Sequence, residues 1–258
     1  MVTQVSQVEG AGPVRIAMWS GPRNISTALM RSFENRQDTM VVDEPLYAYY
    51  LRASGLDHPG RDQILASQSD DWAVVTRQLT GPVPGGRAVY YQKHMTHHLL
   101  PEVGRGWLAE VTSAFLLRDP AGVVASYAKV RGEPTLEDLG FPQQAEIFRA
   151  CADRDGVAPP VVDAADVLAA PGPMLALLCE RLGIGYDDAM LTWPPGPRDS
   201  DGVWAPHWYA AVERSTGFGP PSAGTSEVPD HLRGLLERCR PYYDELYAHR
   251  LTGGQTAP

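Results

Sequence analysis

Residues 16–33 read IAMWSGPRNISTALMRSF, and the interpretation of the whole chain starts from this stretch. Apolar residues run directly into a turn at 20–22, and a segment rich in helix-forming residues starts at Ser26. Such a turn directs backbone N–H groups and the positive end of the helix dipole towards an anion. The spacing G-x-x-x-x-G-K-[ST] of nucleotide triphosphatases is absent. We therefore predict an anion site with Arg23, Ser26 and Thr27 as donors; the alternative is an ordinary helix N-terminus with one surface arginine.

Short apolar runs alternate with helix-forming segments along the chain. The runs predict strands at 14–19, 39–43, 88–92 and 112–117, and a fifth that begins at 160–162. The segments between them predict helices at 26–34, 47–52, 61–79, 121–130, 174–182 and 230–251. Because strands that alternate with helices form a parallel sheet covered by helices, we predict a single α/β domain. It spans 14–258, with residues 1–13 as a flexible tail and about 194–258 as a C-terminal lid or helical segment.

Composition limits the partners and the compartment of the protein. The 258 residues carry a formal net charge of −9, which gives no general attraction to nucleic acid or to a membrane. The first residues show no secretion signal. The three cysteines (151, 179 and 239) are far apart and lack metal-binding spacing, which indicates reduced thiols. We expect a cytoplasmic protein whose partner is a small molecule, and a homodimer is left open.

A second stretch, FLLRDPAGVVASYAK at 115–129, repeats the layout of strand, turn and helix. Arg118 ends the predicted strand, and Ser126 lies eight residues later, two turns into the next helix. The carboxyl end of a strand is the ligand side of an open α/β sheet, so Arg118 and Ser126 are candidates for a second anion site. The alternative is an Arg-Asp-Pro helix start with an incidental serine.

Taken together, the two motifs resemble those of the sulfotransferases that use 3′-phosphoadenosine 5′-phosphosulfate (PAPS). The first motif of that family is P-K-x-G-T-T-W or R-x-G-S-S/T, and the second is R-(D/N)-P followed by a serine. The first motif corresponds here to Pro22, Arg23, Asn24, Ile25, Ser26 and Thr27, with Arg23 in place of lysine and Ile25 in place of glycine. The resemblance implies a P-loop NTPase-like fold, a first motif that holds the 5′-phosphosulfate, and a second, Arg118 and Ser126, that holds the 3′-phosphate.

The acceptor of a sulfuryl group needs a base near the sulfur, and histidine suits that role at neutral pH. The stretch YYQKHMTHHLLPE at 90–102 resembles the family's K-T-H-L-P, which implies catalytic roles for Lys93 and His94. His97 and His98 offer an alternative register, and a surface histidine cluster is the other interpretation. Glu44, at the end of the second strand, is the second candidate for the base, because related bacterial enzymes use a glutamate there.

Further contacts are predicted for the acceptor and for the C-terminal segment. We expect Glu44, Tyr47 and His98 to contact the acceptor. The loop at 214–217 loosely resembles an R-K-G loop of the family, which implies donor contacts; the alternative is a packed aromatic helix followed by a surface loop. The residues of this loop are Arg214, Ser215, Thr216 and Gly217.

The function implied by the resemblance is transfer of a sulfuryl group from PAPS to a hydroxyl, or an amine, of a small molecule, without a metal. Two alternatives stay open. A P-loop-related kinase or nucleotide hydrolase would need Asp43 or Asp119 to bind a metal. A nucleotide-binding module without catalysis is the other, because Ile25 departs from the family pattern.

Overall fold

A computed structural model describes residues 12–131, 133–220 and 227–253 of the chain, so nearly all of the predicted tail 1–13 lies outside the described residues. Five parallel strands form one sheet in the order β2-β3-β1-β4-β5. The strands are β1 (Val14–Ser20), β2 (Thr39–Asp43), β3 (Val89–Met95), β4 (Thr112–Leu117) and β5 (Val161–Asp163). The predicted parallel α/β sheet flanked by helices is confirmed.

Helices connect the strands and cover both faces of the sheet, as parallel strands require. They are α1 (Ser26–Glu34), α2 (Tyr47–Ser54), α3 (Arg61–Ser67), α4 (Trp72–Thr80), α5 (Pro120–Arg131), α6 (Leu136–Leu139), α7 (Phe141–Asp155), α8 (Ala164–Ala169), α9 (Pro171–Arg181), α10 (Ala205–Trp208), α11 (Ala210–Glu213) and α12 (Arg233–Tyr247). No helix in the described ranges has both the length and the apolar content to cross a membrane.

The helices differ from the prediction at 61–79, and α6, α7 and α8 lie where no helix was predicted. The segment 61–79 was predicted as one helix, but it divides into α3 and α4 because the carboxylate of Asp71 caps α4, accepting from the N–H groups of Ala73 and Val74 at 2.8 and 3.4 Å. The 15-residue helix α7 was not predicted. It begins after Gly140, whose φ of 73° is a left-handed conformation that favours glycine.

The hydrophobic core has one layer on each face of the sheet. Alternate residues of β1 enter different layers, with Ile16 and Met18 on one face and Trp19 on the other. The interior strand β3 is buried along its whole length and ends three residues later than predicted. Lys93 and His94 therefore lie inside a strand, and their side chains point to opposite faces of the sheet.

A buried ion pair ties the C-terminal part of the chain to α1. The guanidinium Nη2 of Arg31 lies 2.6 Å from a carboxylate oxygen of Asp201, and only 1% of the Arg31 side chain is exposed. Ser200 also donates a hydrogen bond to Glu34 on the same helix. The Gly202 N–H and the Tyr209 hydroxyl both donate to Asp43, the last residue of β2, so this segment also reaches the carboxyl edge of the sheet.

Candidate active site

A cavity of about 410 Å³ opens at the carboxyl edge of the sheet. The turn at 22–28 follows β1, Glu44 follows β2, Lys93 lies near the end of β3, and Arg118 follows β4; all of them line the cavity. In a parallel sheet these ends meet at one edge, which is where ligands of such folds bind. The structure thus brings both predicted anion motifs to one space.

Two arginines line one end of this cavity. The Nε of Arg23 donates to the Ser126 hydroxyl at 3.0 Å, and Arg118 donates to the backbone carbonyl of Arg23. Among the described residues, no carboxylate lies within ion-pair distance of either guanidinium. Burial and the neighbouring Arg23 lower the pKa of Arg118, against an opposing effect of Asp119. This end of the cavity has the charge and the donors to hold a multiply charged anion.

The N-terminus of α1 points into the same end. No side chain caps this helix at Ile25, so the N–H groups of its first turn are available to a ligand. Asn24 fixes the turn, because its side chain donates to the Leu116 carbonyl at 3.1 Å and accepts from the Ile25 N–H at 2.8 Å. The Ile25 side chain packs against the core layer on the α1 side of the sheet. The departure from glycine at this position is thereby accommodated by packing.

Gly21 immediately precedes this turn, and Pro22, Ser26 and Thr27 belong to it. A Cβ at Gly21 would lie 2.7 Å from the backbone oxygen of Leu139, so only glycine fits there. Pro22, Ser26 and Thr27 all line the cavity, as the first motif predicts for residues near a donor.

A buried polar network occupies the opposite end. The ammonium of Lys93 donates to Asp43 at 2.8 Å, to Glu44 at 2.6 Å and to the Tyr209 hydroxyl at 2.8 Å. The Tyr209 hydroxyl donates to the other Asp43 oxygen at 2.6 Å and accepts from the indole N–H of Trp204 at 3.1 Å. Burial alone would lower the pKa of Lys93, but the two carboxylates raise it well above its usual value. Lys93 is therefore a buried cation with all three of its protons engaged.

Glu44 is the carboxylate of this network that faces the cavity. Its Oε1 accepts from Lys93, and its Oε2 lies 3.9 Å from His98 Nδ1. Burial raises the pKa of Glu44, Lys93 opposes the rise, and Asp43 adds to it. Among the described residues, Glu44 and Arg23 are the non-glycine residues with positive φ, at 39° and 58°. Such strained conformations concentrate at functional sites.

The three histidines of the predicted catalytic stretch have different positions. His97 and His98 line the cavity, whereas His94 does not. The His94 ring stacks on Trp19 at 4.4 Å between centroids, on the far face of β3, and its Nε2 contacts Gln92 at 3.3 Å. Burial and then Lys93 lower the pKa of His94 to about 3. The extra three residues of β3 cause this placement, because they put His94 and Lys93 on opposite faces.

His98 belongs to an aromatic wall of the cavity. Its ring stacks on Tyr47 at 4.5 Å and on Tyr50 at 4.7 Å. Burial, followed by the neighbouring histidines, lowers the pKa of His98 well below its usual value, so the ring is neutral. Tyr47 lines the cavity beside it, so the predicted acceptor contacts Glu44, Tyr47 and His98 are brought together.

The predicted C-terminal loop contributes only in part. Ser215 and Gly217 line the cavity, but Arg214 and Thr216 are exposed and are not among the lining residues. Tyr209 was not among the predicted site residues, although it lies in an aromatic stretch at 204–209, shortly before the predicted loop. That stretch was the sequence signal that could have indicated Tyr209 as a site residue. The contact that brings Tyr209 into the site is with Lys93, 116 residues away in the sequence.

A family model described as Sulfotransferase domain matches residues 14–250. The chain belongs to the sulfotransferase family. A solved sulfotransferase from Alicyclobacillus acidocaldarius superposes on this chain with a TM-score of 0.54 at 14% identity, covering 95% of this chain and 99% of that one. That likeness shows a common fold.

Two curated relatives of the chain come from Arabidopsis thaliana. It is 36% identical over 239 residues to "Branched-chain-amino-acid aminotransferase-like protein 1", covering 93% of this chain and 42% of the relative. It is 33% identical over 234 residues to "Branched-chain-amino-acid aminotransferase-like protein 2", covering 91% and 41%. The chain spans about two fifths of the length of these relatives.

Proposed function

We propose that this sulfotransferase transfers the sulfuryl group of PAPS to a hydroxyl group of a small molecule. The observation that carries the proposal is one cavity with two different ends. One end holds Arg23 and Arg118 beside the uncapped N-terminus of α1, and the other holds the buried carboxylate Glu44. The first end has the positive charge and donors to bind the phosphates and sulfate of the donor, and the carboxylate of the second can take the hydroxyl proton of an acceptor.

The donor contacts follow from this geometry and from the family motifs. Arg23, Thr27 and the first-turn N–H groups of α1 would hold the 5′-phosphosulfate. Arg118 would hold the 3′-phosphate. Ser126 already accepts from Arg23, so it also orients that guanidinium. PAPS supplies the activated sulfuryl group. The side chains and N–H groups that would bind it all belong to this chain.

Transfer forms a bond between sulfur and the acceptor oxygen as the bond from sulfur to the bridging oxygen breaks. Adenosine 3′,5′-bisphosphate (PAP) leaves, and negative charge develops on its bridging oxygen. Arg23 and the α1 N–H groups are placed to stabilise that charge. The acceptor proton passes to Glu44, a step of the kind that contributes about 10²–10⁴-fold to rate.

Glu44 replaces His94 as our first choice for the base. The Glu44 carboxylate lines the cavity, and its raised pKa makes it a stronger base than an ordinary glutamate. His94 lies on the other face of β3 with a pKa of about 3, so its imidazole neither reaches the acceptor nor accepts a proton readily. Lys93 acts through Glu44 as a positioning residue, because its protons are already engaged.

The alternative of a kinase or nucleotide hydrolase gains no support from the two acids that it would need. Both oxygens of Asp43 are bound within the Lys93 network. Asp119 pairs with Arg240 at 2.9 Å and accepts from the Ala121 N–H at 2.8 Å.

Three further predictions stay as predictions. They are a cytoplasmic location, a small-molecule partner rather than nucleic acid or membrane, and a homodimer.

Calorimetry tests the donor, and a coupled assay tests the transfer. We expect PAP to bind without a metal and more tightly than ATP with Mg²⁺. Arg118→Ala should weaken PAP binding, whereas Arg52→Ala, at an exposed arginine of α2, should leave it unchanged. Transfer of ³⁵S from labelled PAPS to a panel of phenols and alcohols then measures activity. Tighter ATP binding, or PAP binding with no transfer to any acceptor, would contradict the proposal.

A further inference from the structure

The charged groups of the cavity are unevenly distributed. At the donor end, Arg23 and Arg118 carry two positive charges with no carboxylate partner among the described residues. At the acceptor end, the carboxylates of Asp43 and Glu44 surround the single ammonium of Lys93. That end therefore has an excess of one negative charge, counted with neutral histidines.

Loading the donor makes this excess larger. At pH 8 the donor carries about four negative charges: about two on its 3′-phosphate monoester and one each on the phosphate and the sulfate of its 5′-phosphosulfate; PAP carries about the same number on two monoesters. The two arginines compensate only half of them. The loaded cavity thus keeps about three uncompensated negative charges, and those near the buried side chains of Glu44 and Lys93 interact more strongly than charges in water. An acidic acceptor entering that space would be repelled, and a cationic one would be attracted.

Aromatic faces line the acceptor end. Tyr47, Trp208 and Tyr209 all contribute to its wall, and the Tyr209 ring already lies 5.2 Å from the Lys93 ammonium. Aromatic rings next to a carboxylate are the surroundings in which proteins bind ammonium groups. The cations that line the cavity among the described residues are Arg23, Arg118 and Lys93, and Lys93 is fully engaged, so nothing at this end is left to pair with an acidic acceptor.

We infer that the acceptor is a hydroxyl compound that carries a positively charged amine, an amino phenol or amino alcohol, and that acidic hydroxyl compounds are rejected. The inference rests on the proposed function, because the repulsion comes largely from the bound donor. It adds the chemical class of the acceptor, which the two anion motifs leave undefined.

The test uses three phenols with matched para substituents and the protein saturated with PAP. They are N,N,N-trimethyltyramine, 4-ethylphenol and 3-(4-hydroxyphenyl)propanoate: cationic, neutral and anionic. Calorimetry at pH 8, where exposed histidines are neutral, measures binding of each without needing turnover. We expect affinity to fall by about tenfold from the cation to the neutral phenol and again to the anion. Equal affinities, tightest binding of the anion, or no binding of any of the three would overturn the inference.

The outcomes separate this inference from the proposed function. Failure of PAP itself to bind would contradict the proposed function. Binding of PAP, with sulfate transferred equally well to all three phenols, would leave the function standing and overturn only the acceptor class.

A charge variant provides the second test. Ala211 is exposed, lines the cavity and lies on α11, two residues after Tyr209, so a longer side chain fits there without disturbing the core. Ala211→Lys should strengthen binding of the anionic phenol to the PAP-loaded protein and weaken binding of the cationic one, each by about tenfold. Ala211→Met, of similar length and no charge, should change neither. If the lysine variant leaves the order of the three phenols unchanged, charge does not select the acceptor and the inference fails.

Discussion

The Tyr209 hydroxyl connects the C-terminal segment to Lys93 and Asp43, which surround the candidate base Glu44. Removing this hydroxyl tests whether the network stabilises the fold. Tyr209→Phe would delete three hydrogen bonds, to Asp43, Lys93 and Trp204. Two of the partners are charged, and such bonds are worth about 1.5–3 kcal/mol each, so we expect a loss of about 3–5 kcal/mol in the free energy of unfolding. For a chain of this size that lowers Tm by about 10 °C.

Tyr91 is a matched control within the same sheet. Its side chain is buried, and its hydroxyl has no hydrogen-bond partner among the described residues. Tyr91→Phe deletes the same atom but breaks no bond, so it should leave stability unchanged or raise it by about 1 kcal/mol. Urea unfolding followed by circular dichroism measures both variants. Equal effects, or a loss below about 1 kcal/mol for Tyr209→Phe, would refute the assignment of the network.

The remaining predictions concern ligand binding and catalysis. Arg118→Ala should weaken PAP binding by about 1.5–3 kcal/mol while hardly changing affinity for adenosine 5′-phosphosulfate, which lacks the 3′-phosphate; equal losses in calorimetry would contradict the assignment. Glu44→Gln should lower kcat about 10²–10⁴-fold, whereas His94→Phe, which keeps a ring on Trp19, should retain most turnover in the ³⁵S assay; the opposite result would return the base to histidine. Asp43→Asn removes a negative charge beside Glu44, so it should lower the pKa of Glu44 and move the acidic limb of the kcat/KM profile to lower pH; a move to higher pH would show that another group titrates.

The fold could be predicted because its signals are local. The predicted helix at 26–34 and strands at 39–43 and 112–117 have the observed bounds, since apolar runs and turn residues mark them in the sequence. Helix α7 gave a weaker local signal, because its start depends on a left-handed Gly140 rather than on a side-chain cap. The end of β3 is set by pairing with β1 and β2, which the residues of β3 alone do not reveal.

In the candidate site, too, residues with a local sequence signal could be predicted, whereas those placed by long-range contacts could not. Arg23 and Arg118 could be found from sequence, because each lies within three residues of the end of a recognisable strand. The positions of His94 and Lys93 could not, because a shift of three residues in the strand end decides which face each side chain takes. Tyr209 joins the site through contacts with residues more than a hundred positions away, so only the folded chain reveals it.

The ion pair between Arg31 and Asp201 limits how this chain can be cut. Its partners are 170 residues apart, one in the last turn of α1, the helix that follows the first anion turn, and one in the C-terminal segment. A fragment ending before Asp201 would leave the buried guanidinium with only the partly exposed Glu34, at 3.4 Å. Breaking a buried pair in this way costs about 3–5 kcal/mol, a large share of the stability of an ordinary domain. The anion-binding half is therefore not a separable module, and the boundaries of any trimmed or fused version should lie outside residues 14–251, because α12 packs into the core and the Leu251 N–H donates to Val161 of β5.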